Sequence, residues 1–138
     1  MKKSIKVNWE DGMCFSSDID GHKMLMDASE EFGGENQGPR PKPLLMLALA
    51  GCTGMDIVSL LKKMRVEIED FSIDVEGEIT EEHPKQFTSL NIIYSFKGEN
   101  LPMEKLKKAI DLSQEKYCGV SATLKKALSI THEIKILD

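Results

Sequence analysis

The chain has 138 residues, 41% of them hydrophobic and 30% charged, so it is long enough to bury a core without staples and reads as one soluble domain, 1–138. Its net charge of −5 excludes a globally basic nucleic-acid binder. The three cysteines have no paired spacing, which excludes a disulfide framework and points to free thiols in a reducing, cytoplasmic compartment.

Residues 3–9 alternate and place Ile5, Val7 and Trp9 on one face of a strand. The start of the chain carries no apolar segment of the signal-peptide kind, so no secretion signal is expected. Asp11-Gly12 and Asp20-Gly21 are hairpin signals, followed by strands at 13–19 and 22–27. Residues 1–27 thus form an N-terminal antiparallel meander. Residues 28–43 are rich in Gly, Pro and polar side chains and form a long loop. A helix follows over 44–65, with Pro43 suited to its first turn and Lys62, Lys63 and Arg65 complementing its dipole. Its first half is apolar on every side, which predicts burial all round. The run from Leu44 to Cys52 is too short to span a bilayer, so no membrane is expected. Gly51 and Gly54 beside Cys52 imply the close approach of another helix or a substrate.

Two long strands come next, pointing Phe71, Ile73, Val75 and Ile79, then Leu90, Ile92, Tyr94 and Phe96, toward a core. Pro102 opens a helix with Met103, Leu106, Ala109, Ile110 and Ser113 on one face. A break at 117–119 leads to a short helix with Val120, Leu124 and Leu128, and a last alternating strand runs through His132. The lysines at 105, 107, 108, 125 and 126 read as a solvated helix face. The order over the whole chain is β-β-β-α-β-β-α-α-β, an α+β class with 66–138 holding the C-terminal strands and helices.

Two thiols carry the candidate chemistry. Cys52, inside the apolar helix, reads either as a nucleophile in a nearly dry pocket or as a small core residue. Burial disfavours a thiolate, so a reactive thiol there needs a cation or donor beside it; Arg40, Lys42 and His22 are the candidates. Cys118, just before a short helix, reads either as a thiol favoured by free N–H groups or as a buried junction residue. Asp56, one turn after Cys52, shares its face and is either structural or part of the site. Cys14 is structural or exposed. Zinc ligation by Cys52, Cys118 and a histidine lacks the usual paired spacing, and no metal or cofactor is expected. His22, His83 and His132 are isolated.

Taken together, GPRPKPLLMLALAGCTGMDIVSLLKKMR and KYCGVSATLKKA resemble the two cysteine blocks of the OsmC/Ohr family, in its YhfA-like branch, and the element order matches along the whole chain. The resemblance implies an OsmC-like α+β fold with a long central helix, in which two chains intertwine as a homodimer with sites at their interface. It implies a thiol-dependent peroxidase acting on organic hydroperoxides, with Cys52 as the peroxidatic and Cys118 as the resolving cysteine. A lipoyl-type external dithiol would be the reductant. The chain departs from the best-known members at Lys42, where they carry glutamate, and it has no arginine in its early strands. Arg40 is then either the replacement cation or a solvated loop residue. A non-catalytic apolar-ligand-binding or redox-sensing dimer is the alternative.

Overall fold

The computed structural model describes all of residues 1–138. It is a mixed α+β structure with two three-stranded sheets and three α-helices. The chain forms two compact units, Met1–Leu45 and Met46–Asp138.

In the first unit β1 (Asn8–Asp11), β2 (Cys14–Ile19) and β3 (His22–Met26) form an antiparallel meander in the order β1-β2-β3. Ile19 pairs with His22 across a two-residue turn, Asp20-Gly21. Both turn residues have positive φ, which an Asp-Gly pair accepts where a branched residue would be strained. The first strand is shorter than its alternation predicts. Ile5 and Val7 are exposed and lie outside the ladder, because alternation makes a strand only where a partner backbone runs alongside, and β2 pairs no further than Asn8. Residues 28–43 form the expected loop, apart from a 3-10 turn at Glu30–Phe32. Asp27 organises it: its carboxylate accepts the backbone N–H groups of Ala28, Glu35 and Gln37. These three bonds hold the Asp27 carboxyl below the usual carboxylate range, Gln37 contributing most.

The long helix α1 runs Pro43–Lys63. Within this chain its burial departs from the all-round expectation. Only Leu49, Thr53, Ile57 and Leu61 are fully buried, a single stripe at four-residue spacing. Leu45, Leu47, Met55 and Val58 are exposed, Met55 by 77%. Within the second unit only that stripe lies fully in the core, and the other apolar residues of the helix stay partly or wholly exposed. The apolar character also continues past Cys52. The 21 residues are long and apolar enough to cross a membrane, contrary to the shorter run counted above. Here the helix instead packs its stripe into a core with Leu90, Ile92, Tyr94 and Phe96.

That core lies on the second sheet: β4 (Asp70–Ile79), β5 (Phe87–Lys97) and β6 (Ser129–Leu137), in the order β4-β5-β6. The β4–β5 pair is antiparallel and the β5–β6 pair parallel. The central position of β5 explains the unbroken burial of residues 92–96. The predicted inward set of β5 is fully buried, whereas Ile79 of β4 is exposed beyond the irregularity at Glu78/Ile79. The β5–β6 crossover is built from α2 (Met103–Leu112), a π-helical segment (Ser113–Tyr117) and α3 (Gly119–Leu124). In α2, Leu106, Ala109 and Ile110 are buried as the spacing predicts, while Met103 is exposed at its first turn. Gly54 is closely approached, but by a strand rather than the expected helix or substrate: a Cβ there would sit 2.9 Å from Ile73 Cδ1 of β4. Gly51 faces open space in this chain.

Candidate functional site

Two parts of the second unit converge. Helix α1 presents Cys52 and, one turn on, Asp56, both partly buried. The π-helical segment ends at Cys118, which is 3% exposed and caps α3. Its backbone N–H donates to Ser113 O at 2.7 Å, the bond that closes the π turn. An inserted π turn re-aims the following side chain, a device common at functional sites. Here it directs Cys118 toward α1. The Cys52 and Cys118 sulfurs and an Asp56 carboxylate oxygen all lie within 4.8 Å of one another. All three cysteines are free.

Behind these groups lies a buried polar network. Thr53 Oγ1 is 2.8 Å from Tyr94 Oη and 2.7 Å from Ser113 Oγ. Ser113 Oγ donates to Asp56 Oδ2 at 2.9 Å. Gln114 Nε2 donates to Tyr94 Oη and to Thr53 Oγ1, and Ser121 Oγ donates to Gln114 Oε1. The carboxylate end fixes the direction of the chain. Ser113 has one proton and gives it to Asp56, so Thr53 donates to Ser113 and Tyr94 donates to Thr53. The hydroxyls therefore all point one way, Tyr94 to Thr53 to Ser113 to Asp56. No buried side-chain nitrogen or oxygen lacks a partner.

Burial pushes the Cys118 thiol up to about 11; the Ser121 N–H, 3.3 Å from its sulfur, opposes this, and Cys52 and Asp56 add to it. Burial likewise raises the Tyr94 phenol. The hydrogen bonds that Cys118 and Asp56 accept come from Ser121 and Ser113, neither of them cationic.

The other candidates belong to the first unit. Arg40 donates to Gly38 O at 2.9 Å and to Asn36 Oδ1 at 2.8 Å, so its guanidinium staples its own loop. Lys42 and His22 are exposed. Cys14 is buried, and its thiol is raised first by burial and then by Asp27, Glu10 and Glu35. His132 lies on β6 with its ring edge-on to Tyr94 at 6.0 Å. The sequence reading missed Thr53, Tyr94, Ser113, Gln114 and Ser121 as site residues. One signal was available: Thr53 is the polar member of an otherwise apolar stripe at four-residue spacing.

A model of the family described as OsmC-like protein matches residues 34–133. Protein YhfA of Escherichia coli is 34% identical over 133 residues, 96% of each chain. Among solved structures, a hypothetical protein from Aquifex aeolicus has a TM-score of 0.82 and 30% identity, covering 100% of this chain and 99% of that one. The organic hydroperoxide resistance protein OhrB of Bacillus subtilis has a TM-score of 0.68 and 17% identity, covering 96% and 98%, a likeness of fold.

Proposed function

The chain belongs to the OsmC-like protein family, and from that premise we propose that it is a thiol-dependent peroxidase that reduces organic hydroperoxides through Cys52 and Cys118. The observation that carries this reading is the convergence of two free thiols within 4.8 Å from segments far apart in the chain. Membership of a family with Ohr-type structural neighbours supports a redox or peroxide-related role.

The roles follow from access and proton inventory. Cys52 is partly exposed and meets the oxidant; Cys118 is buried. The Cys52 thiolate attacks the terminal peroxide oxygen, the O–O bond breaks, and the alkoxide takes a proton and leaves as alcohol. Cys52 is then a sulfenic acid. Cys118, held as a neutral thiol by burial, attacks the Cys52 sulfur, and its proton leaves with the hydroxide as water. An external dithiol of the lipoyl type reduces the disulfide by exchange, in a reducing cytoplasm.

The active form is a homodimer, with the exposed Leu45, Leu47, Met55 and Val58 of α1 covered by a second copy. The same apolar face carries an open groove of about 720 Å³ lined by Gly51, Gly54, Met55, Val58, Phe71 and Ile73; neither thiol lines it, and in the dimer the second copy covers its Met55 and Val58. The same groove favours a second reading, an apolar-ligand-binding module without turnover.

Cys118→Ser tests the assignment. It is expected to consume one equivalent of cumene hydroperoxide and stop with Cys52 as sulfenic or sulfinic acid, read by intact mass. Continued turnover at the wild-type rate would rule out Cys118 as the resolving thiol.

A further inference from the structure

The dithiol pair has a third partner that a peroxidase cycle does not use. Asp56 brings a carboxylate oxygen to within 4.8 Å of both sulfurs. A tetrahedral zinc ion with ordinary bond lengths would hold two sulfurs about 3.8 Å apart and a sulfur and an oxygen about 3.5 Å apart. The three donors therefore need to close by only about 1 Å to share one ion, within reach of rotamer adjustment.

The surroundings fit the same use. A metal-binding carboxylate is ordinarily steadied by an outer hydrogen bond, and Asp56 receives one from Ser113 at the end of the one-way chain from Tyr94. The Cys118 sulfur receives the Ser121 N–H, as metal thiolates commonly do. Coordination as thiolates releases the thiol protons to solvent, and the hydrogen-bond donors around the resulting negative charge are neutral. A divalent cation offsets that charge. Because Cys52 and Asp56 are partly exposed, a fourth position stays open to water.

We propose that, in the reduced protein, Cys52, Asp56 and Cys118 form a three-donor site for a borderline divalent ion such as Zn²⁺, with one coordination position left to solvent. Occupation and disulfide formation exclude each other, since both use the two sulfurs. This departs from the sequence reading, which expects no metal and discounts a set of two cysteines and a histidine; here the set is two cysteines and an aspartate. Helical spacing pairs Cys52 with Asp56, but only the fold brings in Cys118.

The test is anaerobic titration of the reduced full chain with Co²⁺, a coloured stand-in for Zn²⁺. The expected result is one equivalent bound, with sulfur-to-cobalt charge-transfer absorption and the intense visible bands of a four-coordinate ion, both lost on adding Zn²⁺. Cys52→Ser and Cys118→Ser should each weaken the charge-transfer band, and Asp56→Asn should lower affinity at least about 10-fold. Cys14→Ser should bind as the wild type does, and protein oxidised to the disulfide should not bind. Absent charge transfer, binding that depends on Cys14, or unchanged affinity in Asp56→Asn would overturn the site. A second readout needs no variant: one equivalent of Zn²⁺ should slow alkylation of Cys52, whose sulfur the ion would hold, and unchanged alkylation would overturn the site equally. Neither experiment uses peroxide. Metal binding without peroxide turnover therefore refutes only the peroxidase reading, and turnover without metal binding refutes only this one.

Discussion

Thr53→Val removes one hydroxyl from the centre of the polar network at almost constant volume. Thr53 is fully buried and takes part in three hydrogen bonds, with Tyr94, Ser113 and Gln114. A neutral hydrogen bond contributes about 1 kcal/mol net, and a buried donor left without an acceptor costs about 1–3 kcal/mol. In the variant the Tyr94 O–H loses its acceptor, while Tyr94 Oη still accepts from Gln114. The expected loss of stability is about 2–4 kcal/mol. Thr53→Ser keeps the hydroxyl and gives up one methyl, so it should lose only about 1 kcal/mol. Tyr94→Phe in the Thr53→Val background removes that orphaned donor but also takes from Gln114 Nε2 the second of its two acceptors, so opposing effects of about 1–3 kcal/mol offset each other there and the single changes are the decisive ones. Urea unfolding of reduced protein at one fixed concentration measures all four. A loss below about 0.5 kcal/mol for Thr53→Val, or a loss for Thr53→Ser as large as that for Thr53→Val, would refute the role given to the Thr53 hydroxyl.

Other outcomes follow from the same geometry. Under native conditions near neutral pH, iodoacetamide should label Cys52 well before Cys118, because Cys118 is 3% exposed and held as a thiol; peptide mapping over time reads the order. The Asp27 carboxyl is depressed in the fold, so its stabilisation is complete above the unfolded value of about 3.9 and is lost as pH falls through the lower folded value. Asp27→Asn should flatten that acid limb and speed amide exchange at Glu35 and Gln37, and an unchanged limb would refute the role given to Asp27. Met55→Glu puts a charge on the exposed apolar face of α1 and should convert the proposed dimer to monomer by light scattering; a monomeric wild type would refute the dimer, and a dimer retained in the variant would place the interface elsewhere.

The sequence carried local information well. Asp20-Gly21 marked its hairpin, and the alternation of Leu90, Ile92, Tyr94 and Phe96 gave the buried face of β5. Leu106, Ala109 and Ile110 gave the buried face of α2. Failures came where a partner decides the outcome. Residues 3–7 alternate without a strand to pair with, and the apolar faces of α1 outnumber the surfaces this chain offers them. Of the candidate site, the two cysteines and Asp56 were named from sequence, and the fold brings them together. The polar network was not legible, because Thr53, Tyr94, Ser113 and Gln114 meet only through tertiary packing, and no spacing rule joins α1, β5 and a π turn. Arg40 illustrates the converse: its charge suggested an activating cation, while its two hydrogen bonds tie it to its own loop.

The central claim is that Cys52 and Cys118 act as a peroxide-reducing pair. Single-turnover loss of free thiols in the reduced protein, with cumene hydroperoxide compared against hydrogen peroxide and the product read by intact mass and peptide mapping, tests it most directly. The account predicts fast loss of two thiols, selective for the organic peroxide, with a Cys52–Cys118 disulfide as product. Slow loss with neither oxidant preferred, or a product in which these two cysteines stay reduced, would contradict it.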